Sequence, residues 1–256
     1  ALLGVSEEEE LDDILSKLER LSLITVIDDS SQAGIQIHRE VQAACKVYQD
    51  WSEVSKLTEQ DLLKYLLQVL DQCMPEVTDM PDNKWSQARI YASNVAHILV
   101  HAIQILGPQS LLANLANRMG HYSSTVQCNY QQALKYHQQA FEMQQALYMG
   151  NHPNIAGSLY ELGYIYTVLD QNEEALKCQK RALEMRVALY TGDHPDISKS
   201  LTSLGHVYKD LGKNEESLEY YKKAFEMRKT LYTGDHTLVA NSLNNLGIVY
   251  LELEQN

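Results

Sequence analysis

The sequence predicts a mainly α fold: an α-solenoid of stacked helical hairpins, preceded by a region that carries one β-hairpin and a helical arm. Three observations predict it. The phrase LYTGDH occupies residues 189–194 and again 231–236, with the variant LYMGNH at 147–152. Its spacing is 42 residues, shared by His152, His194 and His236, by Gly163, Gly205 and Gly247, and by Met143, Met185 and Met227. Self-similarity at such a period marks stacked supersecondary units. Within one period the apolar residues keep helical spacing: Leu201, Leu204, Val207, Tyr208 and Leu211, then Leu218, Tyr221, Ala224, Phe225 and Met227.

Residues 1–118 lack that period. Ser6 and Glu9 make a capping box, and Leu11, Ile14, Leu15, Leu18 and Leu21 form the apolar stripe of the helix behind it. The β-branched stretch LSLITVI, the turn sequence DDSSQAG and the alternating GIQIH predict a hairpin. Helical spacing returns through Val41, Cys45 and Tyr48. Helix, hairpin and helix over residues 1–48 resemble part of a winged helix. Residues 49–118 are expected to form the arm: a helix from about Leu62 to Cys73, a proline-containing loop ending at Trp85, and a helix from about Ser86 to Leu106. The repeats are assigned to residues 119–256.

Each period reads as helix, tight turn, second helix, tight turn. Gly212-Lys213-Asn214 supplies a C-cap glycine and an N-cap asparagine, and Gly234-Asp235-His236 supplies a glycine stop with an acidic start. Leu204-Gly205-x-x-Tyr208 with Ser217 and Ala224, Leu162-Gly163-x-x-Tyr166 with Ala175 and Ala182, and Leu246-Gly247-x-x-Tyr250 resemble the tetratricopeptide signature. The long period, with GDHP between units, resembles the kinesin-light-chain type. Lacking a Cβ, the glycine lets the partner helix approach closely. Asn172 and Asn214 start second helices, and the next such position is Asn256, so the last repeat is expected to hold its first helix alone. The chain is therefore expected to be a piece of a larger protein. Leu243, Leu246, Ile248, Val249 and Tyr250 belong to a helix expected either to fray or to self-associate through its uncovered apolar face.

A second resemblance covers the N-terminal part. Ser22-Leu23-Ile24 followed by Ile37-His38-Arg39-Glu40-Val41-Gln42 is similar to the end of the winged helix in NB-ARC signalling ATPases of the STAND class. In that family a helical arm leads into repeats of this kind, and the resemblance implies that His38 faces the β-phosphate of bound ADP. An imidazole can donate to a phosphate oxygen near neutral pH. The ADP or ATP would belong to an upstream nucleotide-binding domain. This chain has no G-x-x-x-x-G-K-[ST] loop, since Gly212-Lys213 is followed by Asn214.

Composition narrows the remaining classes. A formal net charge of −13 argues against nucleic acid or an anionic membrane surface as partner. No apolar run approaches a membrane span. Cys45, Cys73, Cys128 and Cys178 are scattered, as expected for free thiols in a reducing cytoplasm. His152, His194 and His236 have no second ligand at i+3 or i+4, so they read as turn histidines, with no metal expected. No nucleophile elbow or Cys/His pair in a recognisable context appears, and no enzyme is expected.

The repeats offer a surface instead. First helices line the concave wall of tetratricopeptide stacks, which places Tyr160, Tyr164 and Thr167 on it, then Lys199, Thr202, His206 and Lys209, then Asn241, Asn244, Asn245 and Ile248. Tyrosines give broad contact, lysines attract acidic groups, and asparagine amides pair with extended backbone. The expected ligand is a protein or extended peptide with acidic character. The expected role is the sensor or regulatory region of a STAND-type ATPase; the alternative is a kinesin-light-chain-like scaffold or cargo adaptor without ATPase activity.

Overall fold

The computed structural model describes residues 24–29, 32–37, scattered positions between 58 and 68, 85–234 and 236–254. They fall into two compact units, residues 1–126 and 127–256.

In the first unit, β1 (Ile24–Asp29) and β2 (Gln32–Ile37) pair antiparallel, with Ile27 opposite Gly34 and Asp29 opposite Gln32. The strands therefore extend through most of the stretch expected as a turn. The helices expected on either side, from Ser6 and through Val41, lie outside the described residues, as does His38. Of the first arm helix, Leu63 and Leu67 are described, and both are buried helical residues. Helix α1 (Trp85–Leu106) runs within one residue of expectation. It buries Ala92, Val95, Ile98, Leu99 and Ala102, which follow its 3.6-residue period. Helix α2 (Ser110–Thr125) follows, so the expected boundary at residue 119 falls inside a helix.

The second unit is built of helical hairpins: α3 (Tyr130–Leu147), α4 (Pro153–Val168), α5 (Asn172–Leu189), α6 (Pro195–Asp210), α7 (Asn214–Leu231) and α8 (Thr237–Glu254). Each helix packs on the next along the chain. The core repeats with the sequence. Ile155, Ala156 and Leu159 of α4 meet Ala182 and Met185 of α5, and Ile197 and Leu201 of α6 meet Ala224 of α7. Tyr221 of α7 meets Leu246 and Val249 of α8. The motif glycines work as expected where a second helix covers them. A Cβ on Gly163 would run into the Gln179 side chain, and one on Gly205 into the Tyr221 ring.

The recurring phrase is a joint with three parts. Gly150, Gly192 and Gly234 take φ of +73°, +76° and +75°, a region that strains other residues. Tyr148, Tyr190 and Tyr232 stack on His152, His194 and His236, ring centroids 3.6, 3.7 and 4.1 Å apart. Each histidine Nδ1 then accepts from the backbone N–H two residues on, at 3.2, 3.1 and 3.1 Å. The cap is thus the histidine, not the acidic residue before it. The asparagine caps are corrected too. Helices α5 and α7 do begin at Asn172 and Asn214, but their side chains make no cap bond, and both Oδ1 atoms are buried without a protein partner. The tight turn instead rests on positive φ at Asp170 and Gly212.

Candidate partner-binding groove

Helices α4, α6 and α8 are the first helices of successive hairpins, and the 42-residue register aligns their free faces. Tyr160, Thr202 and Asn244 occupy one register position; Tyr164, His206 and Ile248 occupy another; Lys199 and Asn241 share a third. Tyr164, Lys199, His206, Asn241, Asn244 and Ile248 are exposed, while Tyr160, Thr202, Lys209 and Asn245 are half-buried. Every sequence-predicted groove residue therefore lies on a helix of this set with surface left over.

Their chemistry is less uniform than the residue types suggest. The Arg186 guanidinium lies 4.8 Å from the Tyr160 ring centroid. Burial pushes the Tyr160 phenol up, with Glu161 adding to it and Arg186 opposing. The Thr202 hydroxyl donates to the Ser198 carbonyl of its own helix at 2.9 Å. Lys199 Nζ is 3.6 Å from Asp196 and Lys209 Nζ is 4.0 Å from Asp210, so each lysine has an acidic neighbour. His206 stands edge-on to Tyr221, with centroids 5.3 Å apart. Partial burial lowers its imidazole, Lys209 and Arg228 lower it further, and Asp210 and a side-chain hydrogen bond to Asn245 oppose them. More than a third of the residue is still accessible.

Two residues absent from the expected site tie consecutive hairpins together. Arg186 and Arg228, one period apart near the ends of α5 and α7, are 6% and 4% exposed. Arg186 Nη1 donates to the Asp196 carbonyl at 2.9 Å and to Ser200 Oγ at 2.7 Å. Arg228 repeats this with the Leu238 carbonyl at 3.2 Å and Ser242 Oγ at 2.8 Å. Each arginine therefore clamps a second helix to the first helix of the next hairpin. Their 42-residue spacing was visible in the sequence, but nothing there distinguished a buried clamp from a solvated charge.

An array of helical hairpins repeating every 42 residues is a repeat solenoid. The chain belongs to the tetratricopeptide repeat family: the family model matches residues 111–186, 154–230 and 196–256. No curated protein matches the sequence. Solved structures do. The kinesin light chain TPR-like repeats from Podosopora anserina align at 15% identity with a TM-score of 0.60, covering 74% of this chain and 88% of that one. BtubC (BKLC) from P. vanneervenii aligns at 17% identity and 0.58, covering 93% and 83%. A STAND protein with a tetratricopeptide repeat sensor from Pyrococcus horikoshii aligns at 16% identity over 99% of this chain and 48% of that one. Its TM-score of 0.49 is too low to establish a shared fold. The first two likenesses establish the kinesin-light-chain-like repeat fold. Tetratricopeptide repeats imply protein–protein interaction, and the fold is typically a non-catalytic scaffold. Among the described residues no helix is long and apolar enough to cross a membrane.

Proposed function

We propose that the wall formed by α4, α6 and α8 binds an extended segment of a partner protein, and that the chain itself carries out no catalysis. The observation that carries this reading is the alignment of exposed polar and aromatic side chains at the same register positions of successive first helices. Asn241 and Asn244 are exposed amides able to pair with a strand-like backbone. Asn244→Ala should therefore weaken the partner by about 1 kcal/mol. Lys209→Glu should weaken an acidic partner mainly at low salt, because exposed charge is screened over about 8 Å at physiological ionic strength. Calorimetry on both variants tests this. Unchanged affinity in both, with loss on changing Lys180 and Lys222 of the second helices, would refute the groove.

In the larger setting we infer a sensor or regulatory region of a STAND-type signalling ATPase in the cytoplasm, with residues 1–48 as a partial winged helix and 49–118 as a helical arm. The motif around His38 supports it, together with the hairpin that precedes that residue. The rival reading, a kinesin-light-chain-like adaptor, draws on the fold likeness of the repeats. The gene sequence upstream of Ala1 separates them: a P-loop favours the switch, and heptad repeats favour the adaptor. We also propose self-association through α8, where Leu243, Ile248 and Tyr250 are 54%, 39% and 45% exposed, whereas Leu246 and Val249, expected on the same open surface, are buried against Tyr221. A monomer at all concentrations in sedimentation analysis would contradict it.

A further inference from the structure

A cavity of about 720 Å³ opens at the first joint, between the end of α3, the start of α4 and α5. Its apolar lining comes from buried Ile155 and Met185, half-buried Tyr148 and the almost wholly exposed Met149. Arg181 and Glu184 of α5 add one charge of each sign. The following period shows what these two charges lack. Lys223 and Glu226 hold their places there, and Lys223 pairs with Glu219 at 2.5 Å while Glu226 pairs with Lys229 at 3.3 Å. One period back, Lys177 stands for Glu219 and Val187 for Lys229. Among the described residues neither Arg181 nor Glu184 has an ion pair. Lys177 is held by Glu174 at 2.7 Å, and Lys180, one turn before Glu184, lies over the Tyr208 ring, 5.6 Å from its centroid. The Arg181 guanidinium is itself placed over the Phe141 ring, 5.7 Å from its centroid. Exposed ion pairs add little to stability, so losing both costs the fold little and leaves two opposite charges for a ligand. The joint is also untied here. At the next joint Thr230 of α7 donates to Asp193, whereas Ala188, in the place of Thr230, has no hydroxyl to offer Asn151.

We infer that this cavity binds a free amino acid with a large apolar side chain, its carboxylate on Arg181 and its ammonium on Glu184. Residues three apart on a helix are surface neighbours, so the two charges stand as close as the two ends of one amino acid require. The termini of a longer peptide lie too far apart to meet both, and a ligand with one charge leaves the other unmatched. Guanidinium and carboxylate form charge-assisted hydrogen bonds in a planar fork, which gives Arg181 the stronger hold. The side chain then covers Ile155 and Met185, and an aromatic ring gains contact with the methionine sulfurs. A volume of this size falls in the range of small-molecule sites. The site is independent of the groove, none of whose residues lines it.

The test uses the full chain with isotope-labelled methionine methyls and L-phenylalanine as the probe. The Met149 and Met185 signals should shift together and saturate at one affinity. Phenylalaninamide, which lacks the carboxylate, and N-acetylphenylalanine, which lacks the ammonium, should each bind about fivefold weaker or more. Arg181→Gln should erase the preference over phenylalaninamide and keep that over N-acetylphenylalanine, and Glu184→Gln should do the reverse. Both residues are exposed, so neither change threatens the fold. Lys223→Gln, the same change one period on, should alter neither preference. Absence of saturation up to about 10 mM phenylalanine would overturn the site. So would capped forms that bind as tightly as phenylalanine, preferences that survive Arg181→Gln and Glu184→Gln, or a preference lost in Lys223→Gln. Each of these outcomes leaves the groove standing, since Asn244→Ala tests that separately.

Discussion

Substituting alanine for glycine at the same motif position should change sign from repeat to repeat. A Cβ on Gly205 would stand 2.5, 2.6 and 2.9 Å from three Tyr221 ring carbons, where apolar contacts sit at about 3.5–4.0 Å. Tyr221 is 2% exposed and packs with Leu246 and Val249, so the ring cannot retreat without opening the α7–α8 core. Overpacking of this kind costs about 1–3 kcal/mol, against a gain of about 1 kcal/mol from replacing glycine in a helix. Gly205→Ala should therefore destabilise by up to roughly 2 kcal/mol. At Gly163 the obstacle is the Gln179 side chain, which can yield at the loss of its 2.9 Å bond to the Tyr160 carbonyl. That loss is worth about 1 kcal/mol, so Gly163→Ala should be near neutral. Gly247 has nothing within 4 Å of its Cβ position, and Gly247→Ala should stabilise by about 1 kcal/mol. Urea unfolding followed by circular dichroism, with hydrogen exchange to read each hairpin, measures all three. Shifts of the same sign and size at Gly205 and Gly247 would refute the close-approach account of the motif.

Other outcomes follow from the joints and clamps. His194→Ala removes both the Nδ1 cap and the stack on Tyr190, and should cost about 1 kcal/mol or more, read as a lower urea midpoint. Arg186→Met leaves the buried Ser200 hydroxyl without its charged donor and should cost about 2 kcal/mol; Arg186→Met combined with Ser200→Ala should recover part of it. Burial, with Glu174 adding to it, pushes the Cys178 thiol up to about 11, while Cys128 is exposed. Only the thiolate reacts, and at pH 8 about one Cys178 in a thousand is ionised. Iodoacetamide should therefore label Cys128 first, with Cys178 accelerating as pH rises; equal rates at pH 8 would contradict its burial.

The repeats were legible because one physical requirement recurs every 42 residues. Wherever a second helix must approach closely, glycine returns; wherever a joint needs positive φ, Gly150, Gly192 and Gly234 return. The α1 boundaries were legible to within one residue, and Ala92, Val95, Leu99 and Ala102 keep an apolar period inside them. The caps were misassigned because asparagine and aspartate are the common capping residues. A histidine takes that place when a tyrosine four residues earlier holds its ring against the turn. The register of the first helices was also readable, since a 42-residue shift maps Tyr160 onto Thr202 and Asn244. What sequence could not supply was the state of each charge. Lys209 and Arg228 are both cations in the sequence, yet one is half-exposed beside Asp210 and the other buried on the Leu238 carbonyl and Ser242.

The account stands on the wall of first helices being the surface that meets a partner. Side-chain amide resonances of Asn241, Asn244 and Asn245, recorded while a bound partner segment is titrated in, test it most directly. The account predicts that these three shift together and saturate at one affinity, while the amides on second helices, Gln179 among them, hold still. Movement confined to second-helix signals, with the three asparagine amides unchanged at saturation, would contradict it.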